Sequence, residues 1–331
     1  MAKPTIYDLA SAAGVSIKSV SRVINCEPHV SEKLRLKVQQ AMQQLGWIPN
    51  PAARSMGGSK AFTIAVLFDN PSPSYVNEVQ KGAYAACHSA GYNLVIEDIG
   101  VDEDIIASID LVLRRRFDGI IITQPIADNL EVLDRIEHHG VRYARIAPII
   151  QPDRSAGVII DDAEAMAEIA RHLHVCGHRR VGLVNGPKDY GVSRLRRQGF
   201  LDAFGALDDV EVLEADGAFT FMSGMEAGMR LLETGSRPTA IVALNDDMAA
   251  GVYAAATQHR LAVPNDLSVV GFDDSWISRN VWPPLTTINQ PISEMARIAA
   301  DALIAPDRET CVWPIELEHR LVLRGSTASP E

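Results

Sequence analysis

Near the N-terminus Lys18 and Arg22 stand one helical turn apart, with Ile17, Ser21 and Asn25 beside them. Arg presents a fork of N–H donors that fits guanine O6 and N7. Lys donates to the same edge, and hydroxyls and amides suit phosphate oxygens. Such side chains act together only if an element holds them on one face. Residues 5–25, TIYDLASAAGVSIKSVSRVIN, supply it. Ile6, Leu9, Ala10 and Ala13 recur at helical spacing. Thr5 with Asp8 three residues on reads as a capping box, and Gly14 suits the left-handed residue that ends a helix. Ser16 then caps a second helix over about residues 17–24, with Val20 and Val23 turned inward beside Val15. Ser31 caps a third helix, SEKLRLKVQQAMQQLG, whose Leu34, Val38, Met42 and Leu45 close a three-helix core. A short helix with a cationic outer face, crossing another helix, has the form that enters a DNA major groove. A helical hairpin with a merely solvated face is the other reading these residues allow.

Charge favours the first. Residues 1–60 hold eight Lys/Arg against three Asp/Glu, a net +5, whereas the whole chain carries −11, so the remainder carries −16. A basic head on an acidic body keeps DNA affinity in the head.

The runs YDLASAAGVSIKSVSRVIN and HVSEKLRLKVQQAMQQLGWIPNPAARSM resemble the headpiece of the LacI/GalR family of bacterial transcriptional regulators, and the similarity extends along essentially the whole chain. The resemblance implies a DNA-binding transcriptional regulator, a repressor in type. It would bind a palindromic operator as a homodimer under the control of a small effector. It places Ile17, Lys18 and Arg22 at base edges and Thr5, Ser16, Ser21, Asn25, His29 and Ser31 at phosphates.

Residues 47–60, WIPNPAARSMGGSK, read as a hinge. Asn50 is a good cap, Pro51 suits a first helical position, and little more than one turn fits before Gly57 and Gly58. So short a helix is marginal alone. The resemblance implies a hinge helix, here including Asn50, Ala53 and Arg54, that enters the minor groove at the operator centre and wedges a Leu into a base step. Here that position is Met56, an apolar but floppier wedge. A flexible linker without DNA contact is the plainer alternative.

From residue 61 the pattern becomes short apolar runs alternating with amphipathic stretches, in two sets that change over near Asp161. Such alternation builds parallel sheets covered by helices. The expected architecture is an all-α helix-turn-helix domain (1–46), a hinge (47–60), and an α/β body of two doubly wound parallel-sheet lobes. The lobes are 61–160 with part of 290–323, and 161–289 with 324–331. The family's body is periplasmic-binding-protein-like, with a tail that crosses back between lobes.

Ligands of doubly wound sheets bind beyond the carboxyl ends of the strands. The polar and aromatic residues there are Asp69, Asn70, Pro73 and Tyr75, then Thr123 and Gln124, then Tyr190, Ser193, Arg194 and Arg196. Asn245, Asp246, Asp247, Asp273, Asp274 and Gln290 follow. Carboxylates, amides and aromatics in that mixture suit a polyhydroxylated ligand, whose hydroxyls need donors and acceptors and whose ring faces stack on Tyr75 or Phe219. By resemblance Arg196, Phe219, Asn245, Asp273 and Gln290 match effector-contacting positions. The expected effector site is thus Asn70, Pro73, Tyr75, Thr123, Tyr190, Arg196, Phe219, Asn245, Asp247, Asp273 and Gln290. Taken singly, Asn245 and Asp273 read equally as helix caps, and Arg196 as a surface ion-pair residue. Where some family members carry an acidic residue, this chain has Ile146 and Ala147, so one hydroxyl contact is absent.

His172, His174, Cys176 and His178 have metal-ligand chemistry, but Gly177 reads as a helix stop and their side chains diverge, so no metal is expected. Phosphate loop, GxSxG elbow and GxGxxG motifs are absent, and no acid–base carboxylate pair is evident. Neither cofactor nor enzymatic activity is expected. Scattered Cys26, Cys87, Cys176 and Cys311 suit reduced thiols, and neither an export signal nor a membrane-length apolar run is seen, so a cytoplasmic protein is expected. A sugar-type effector heads the list, followed by the same fold with a purine corepressor, and remotely by a solute-binding protein.

Overall fold

The computed structural model of the chain describes residues 4–24, 30–47, 60–100, 104–305 and 312–330. Contacts divide it into two units, Met1–Phe62 with Gly91–Asn93, and Thr63–Ala90 with Leu94–Glu331.

In the first unit α1 (Ile6–Ala13) starts on the expected capping box. The Asp8 amide donates to the Thr5 hydroxyl oxygen at 3.4 Å, and the Thr5 amide donates to the Asp8 carboxylate at 2.7 Å. Gly14 ends the helix at φ 62°, where a side chain would be strained. The Ser16 hydroxyl accepts the Ser19 amide at 3.1 Å at the start of α2 (Ile17–Ile24), and Ser31 caps α3 (Glu32–Leu45). Leu9, Ala10, Ala13, Val20, Ile24, Val38 and Ala41 are buried together, and Val15, Val23, Leu34, Met42 and Leu45 surround them half-buried. Ile24 and Ala41 therefore lie deeper than the sequence pattern suggested, because small or terminal apolar residues sit where the three helices meet.

The body is two six-stranded sheets. The first lobe runs β1 (Thr63–Phe68), α4 (Pro73–Ala90), β2 (Asn93–Asp98), α5 (Ile105–Leu113), β3 (Gly119–Ile122), α6 (Leu130–His138), β4 (Tyr143–Ile146) and β5 (Ala156–Ile159). The second runs α7 (Asp162–Val175), β6 (Arg180–Asn185), α8 (Gly191–Gly205), β7 (Glu211–Asp216), α9 (Phe221–Leu232), β8 (Ala240–Ala243), α10 (Asp246–Gln258), β9 (Ser268–Asp273) and β10 (Thr286–Asn289). The tail adds α11 (Ile292–Ile304), β11 (Ile315–Glu316) and β12 (Arg320–Val322). The sheet orders are β11-β5-β4-β3-β1-β2 and β12-β10-β9-β8-β6-β7. Pairing is parallel from β11 to β1 and from β10 to β7, while β12 runs antiparallel to β10. The chain is already back in the second sheet at Arg320, four residues before the expected 324.

Central strands are apolar on both faces. β3 and β8 are buried at every position and read as continuous apolar runs, while β4 and β9 are equally buried but enclose Arg145 and Asp273. Helices pack closely where a glycine removes the side chain. A Cβ on Gly224 of α9 would come within 2.2 Å of the Met248 carbonyl oxygen of α10, and one on Gly82 of α4 within 1.8 Å of Ser293 O of α11. Among the described residues no helix is long and apolar enough to cross a membrane.

Candidate functional site

The carboxyl ends of the strands in the two lobes meet around a small cavity. Asn70, Ser72 and Tyr75 reach it from the β1–α4 connection, and Gln124 and Ala147 from the ends of β3 and β4. The second lobe contributes Tyr190, Val192 and Arg196 around the start of α8, with Phe219, Asn245, Asp273 and Gln290. The free cavity is about 30 Å³, room for water and far too little for a sugar ring. Three of its wall residues hold positive φ without being glycine: Ala147 at 53°, Phe219 at 58° and Asp273 at 109°. Such backbone is costly and persists where surrounding contacts hold it.

Arg196 organises the floor. Its side chain is 5 % exposed, and its nitrogens donate to Asp162 Oδ1 at 2.7 Å, to the Leu244 carbonyl at 2.9 Å and to Gln290 Oε1 at 2.8 Å. The guanidinium carbon lies 3.6 Å from the Phe272 ring centre. Asp273 Oδ1 stands 3.8 Å from Arg196. Burial pushes the Asp273 carboxyl well above its usual range; Arg196 opposes this, and Asp246, Asp247 and Asp162 add to it. Burial raises Asp162 as well, against the pull of Arg196. The Tyr75 hydroxyl is likewise raised, first by burial and then by Asp273.

Asn245 caps α10 by accepting the Met248 amide at 2.9 Å and donates to the Phe219 carbonyl at 3.0 Å. It is therefore a helix cap and a cavity residue at once. Asp273 is no cap; it ends β9. Tyr190 and Phe219 meet edge to face at 5.3 Å, and the Tyr190 hydroxyl donates to the Asp69 carbonyl of the other lobe. Gln124 donates to Asp128 and to the Ala147 carbonyl, both at 2.8 Å, leaving its buried Oε1 without a protein partner.

In the first unit Ile17 is 40 % exposed, Lys18 is exposed, and Ser21 and Arg22 are half-buried on α2. Thr5, Ser16 and Ser31 already serve as caps, and the Thr5 hydroxyl donates to Asp8 at 2.7 Å.

Residues 5–50 match the family described as bacterial regulatory proteins, lacI family, and residues 170–327 match the periplasmic binding protein-like domain. The ribose operon repressor of Escherichia coli (strain K12) is 33% identical over 306 residues, 91% of this chain and 92% of the relative. The chain belongs to the lacI family. It is a DNA-binding transcriptional regulator of the repressor type, not an enzyme. Among solved structures, the lac repressor dimer bound to operator and the anti-inducer ONPF has a TM-score of 0.74 at 29% identity, covering 99% of this chain and all of that one. The complex of the transcriptional regulator CelR with cellobiose has a TM-score of 0.72 at 26% identity, covering 98% and 99%.

In this lacI-family regulator the cavity gathers Asn70, Tyr75, Tyr190, Arg196, Phe219, Asn245, Asp273 and Gln290. Three expected members lie off its wall. The Thr123 hydroxyl turns back onto the Leu67 carbonyl at 3.1 Å, inside the sheet. Pro73 opens α4 at the surface, its ring spent on starting the helix. The Asp247 carboxylate is taken by Ser72 and Ser74. Strand-end neighbours Asp246 and Asp274 are also committed elsewhere, to Thr287 and Ser275 and to Arg324 and Arg279. Sequence reasoning passed over Ser72 and Val192. The signal for Ser72 was there: Asn70 Oδ1 accepts the Ser72 amide at 2.9 Å, the side-chain turn that an Asn two residues before a Ser-Pro invites. The expected DNA contacts Asn25 and His29, the hinge residues Asn50, Ala53 and Arg54, and Met56 lie outside the described residues. His178 donates and accepts between Thr239 and the Ala328 carbonyl, within the fold.

Proposed function

We propose that the chain binds a palindromic operator as a homodimer and that a neutral sugar in the interlobe cavity controls this affinity. The observation that carries the effector reading is the cavity itself. Its wall alternates carboxylate, amide and aromatic side chains, as a polyol requires. Arg196 pairs with Asp162 at 2.7 Å and stands 3.8 Å from Asp273, so its charge is balanced within the protein rather than left for a ligand carboxylate or phosphate. Tyr190 and Phe219 touch edge to face at 5.3 Å and 76°, so that pair forms no parallel slot for a flat purine. The names of the relatives, a ribose operon repressor and a regulator in complex with cellobiose, agree with a sugar.

In this reading α2 lies in the major groove with Ile17, Lys18 and Arg22 at base edges. Thr5, Ser16, Ser21, Asn25, His29 and Ser31 hold phosphates. Asn50, Ala53, Arg54 and Met56 belong to a hinge at the operator centre. Exposed Phe221, Met222 and Trp282 of the second lobe offer apolar surface for a second copy. DNA as the partner places the protein in the cytoplasm. The effector shifts a population between lobe arrangements, so it must favour one by several kcal/mol. The test is operator affinity at fixed salt, with a panel of neutral sugars, uronic acids and purines. A neutral sugar that changes affinity supports the reading; a response confined to purines or acids overturns it.

A further inference from the structure

The two lobes are also joined beside the cavity by a contact that needs no ligand. Asp247, in the first turn of α10, accepts the Ser72 hydroxyl on Oδ2 at 2.6 Å and the Ser74 hydroxyl on Oδ1 at 2.7 Å, and the Ser74 amide approaches Oδ2 at 3.4 Å. Asp247 belongs to the second lobe, and the two serines to the start of α4 in the first. We propose that Asp247 is a clasp that biases the two lobes toward the closed arrangement, so that opening of the cleft begins with the parting of Asp247 from Ser72 and Ser74.

Both carboxylate oxygens are engaged, and both bonds are short hydroxyl-to-carboxylate contacts, a stronger class than neutral pairs. Asp247 is 6 % exposed and each serine 2 %, so salt screens the contact little. The carboxylate sits in the first turn of α10 and meets the Ser74 amide at the start of α4, and helix beginnings favour negative charge. The clasp also shapes the wall. Ser72 lines the cavity, and its hydroxyl oxygen accepts the Tyr75 amide at 3.2 Å, so the carboxylate fixes the segment that presents Tyr75. With the clasp shut the cavity holds only about 30 Å³, too little for a sugar-sized ligand. Asp247 is thus a positioning residue rather than a ligand contact. The bias toward closure stands whatever the effector is; only its role in admitting a sugar rests on the effector reading above.

The test uses the full-length protein without ligand. The variants are D247N, which keeps the side-chain volume, and S72A/S74A, which removes the clasp from the opposite lobe. Solution scattering should show both variants more open than the parent. Hydrogen exchange should show the amides of Ser74, Tyr75 and Val76 losing protection by roughly tenfold or more. Combining the substitutions should add little, because they remove one interaction. Unchanged scattering and unchanged exchange at residues 74–76 in both variants would overturn the clasp. So would faster exchange confined to α10, which would mark Asp247 as support for its own helix alone. Because no ligand is used, failure here leaves the operator and sugar assays unaffected.

Discussion

Thr287 donates its hydroxyl to Asp246 at 2.6 Å, a bond between β10 and the first turn of α10 with both residues wholly buried. The Ser275 amide donates to the other carboxylate oxygen at 2.7 Å, and the space is tight enough that a Cβ on Gly271 would lie 2.3 Å from Asp246 Oδ1. Burial pushes this carboxyl up to about 7, against the pull of those hydrogen bonds. A carboxyl whose folded value lies above its unfolded one near 3.8 binds its proton more tightly in the folded state. Its contribution to stability is fully present below about pH 4 and is lost as pH rises through about 7. Melting curves between pH 5 and 8 should therefore show part of the stability declining with pH, and D246N should flatten that slope. A slope identical in parent and variant would remove Asp246 as its source.

Arg196 neutralises a site that also contains Asp162 and Asp273. Removing one partner of a buried pair leaves charge uncompensated, at a cost of about 3–5 kcal/mol. R196A should lower the melting temperature accordingly, and R196K should recover little, because an ammonium cannot reach Asp162, Leu244 and Gln290 in one plane. Full rescue by Lys, read from denaturant titrations, would show that charge alone matters.

Gly224 lets α9 and α10 approach until the Met248 carbonyl would lie 2.2 Å from an added Cβ. The obstacle is backbone and has little freedom to move. G224A should destabilise the body by ~1–3 kcal/mol through overpacking. Wild-type stability in chemical unfolding would mean that the two helices can part without loss.

Arg22 is the sharpest test of base reading. R22A should cost ~1–3 kcal/mol on the preferred operator and relax preference at one base position. Binding selections with randomised half-sites measure both. An equal loss on every sequence would assign Arg22 to phosphate.

The head was legible almost residue by residue, since Thr5, Asp8, Gly14, Ser16 and Ser31 act through neighbours three or four positions away. Central strands were legible for a similar reason: burial on both faces leaves unbroken apolar runs such as Gly119–Ile122. β7 was not, because at the sheet edge it mixes three acidic residues with three apolar ones in no regular period, EVLEAD, and only its pairing with β6 makes it a strand. In the cavity, strand-end position located the region but not the direction of each side chain. Thr123 and Gln124 are adjacent, yet one turns into the sheet and the other to the cleft. Asp247 and Asn245 differ by two residues, and only contacts with the other lobe, 173 and 175 positions away in the sequence, decide that the first joins lobes.

The tail has a bearing on how the chain folds. β11 completes the edge of the first sheet beside β5, and β12 that of the second beside β10. Both sheets therefore wait for the same stretch, residues 315–322, so neither lobe is finished before the other. Until then β5 and β10 each present an unpaired border, the feature that recruits foreign strands. The fold is most open to misassembly through those two borders until residues 315–322 have docked on both.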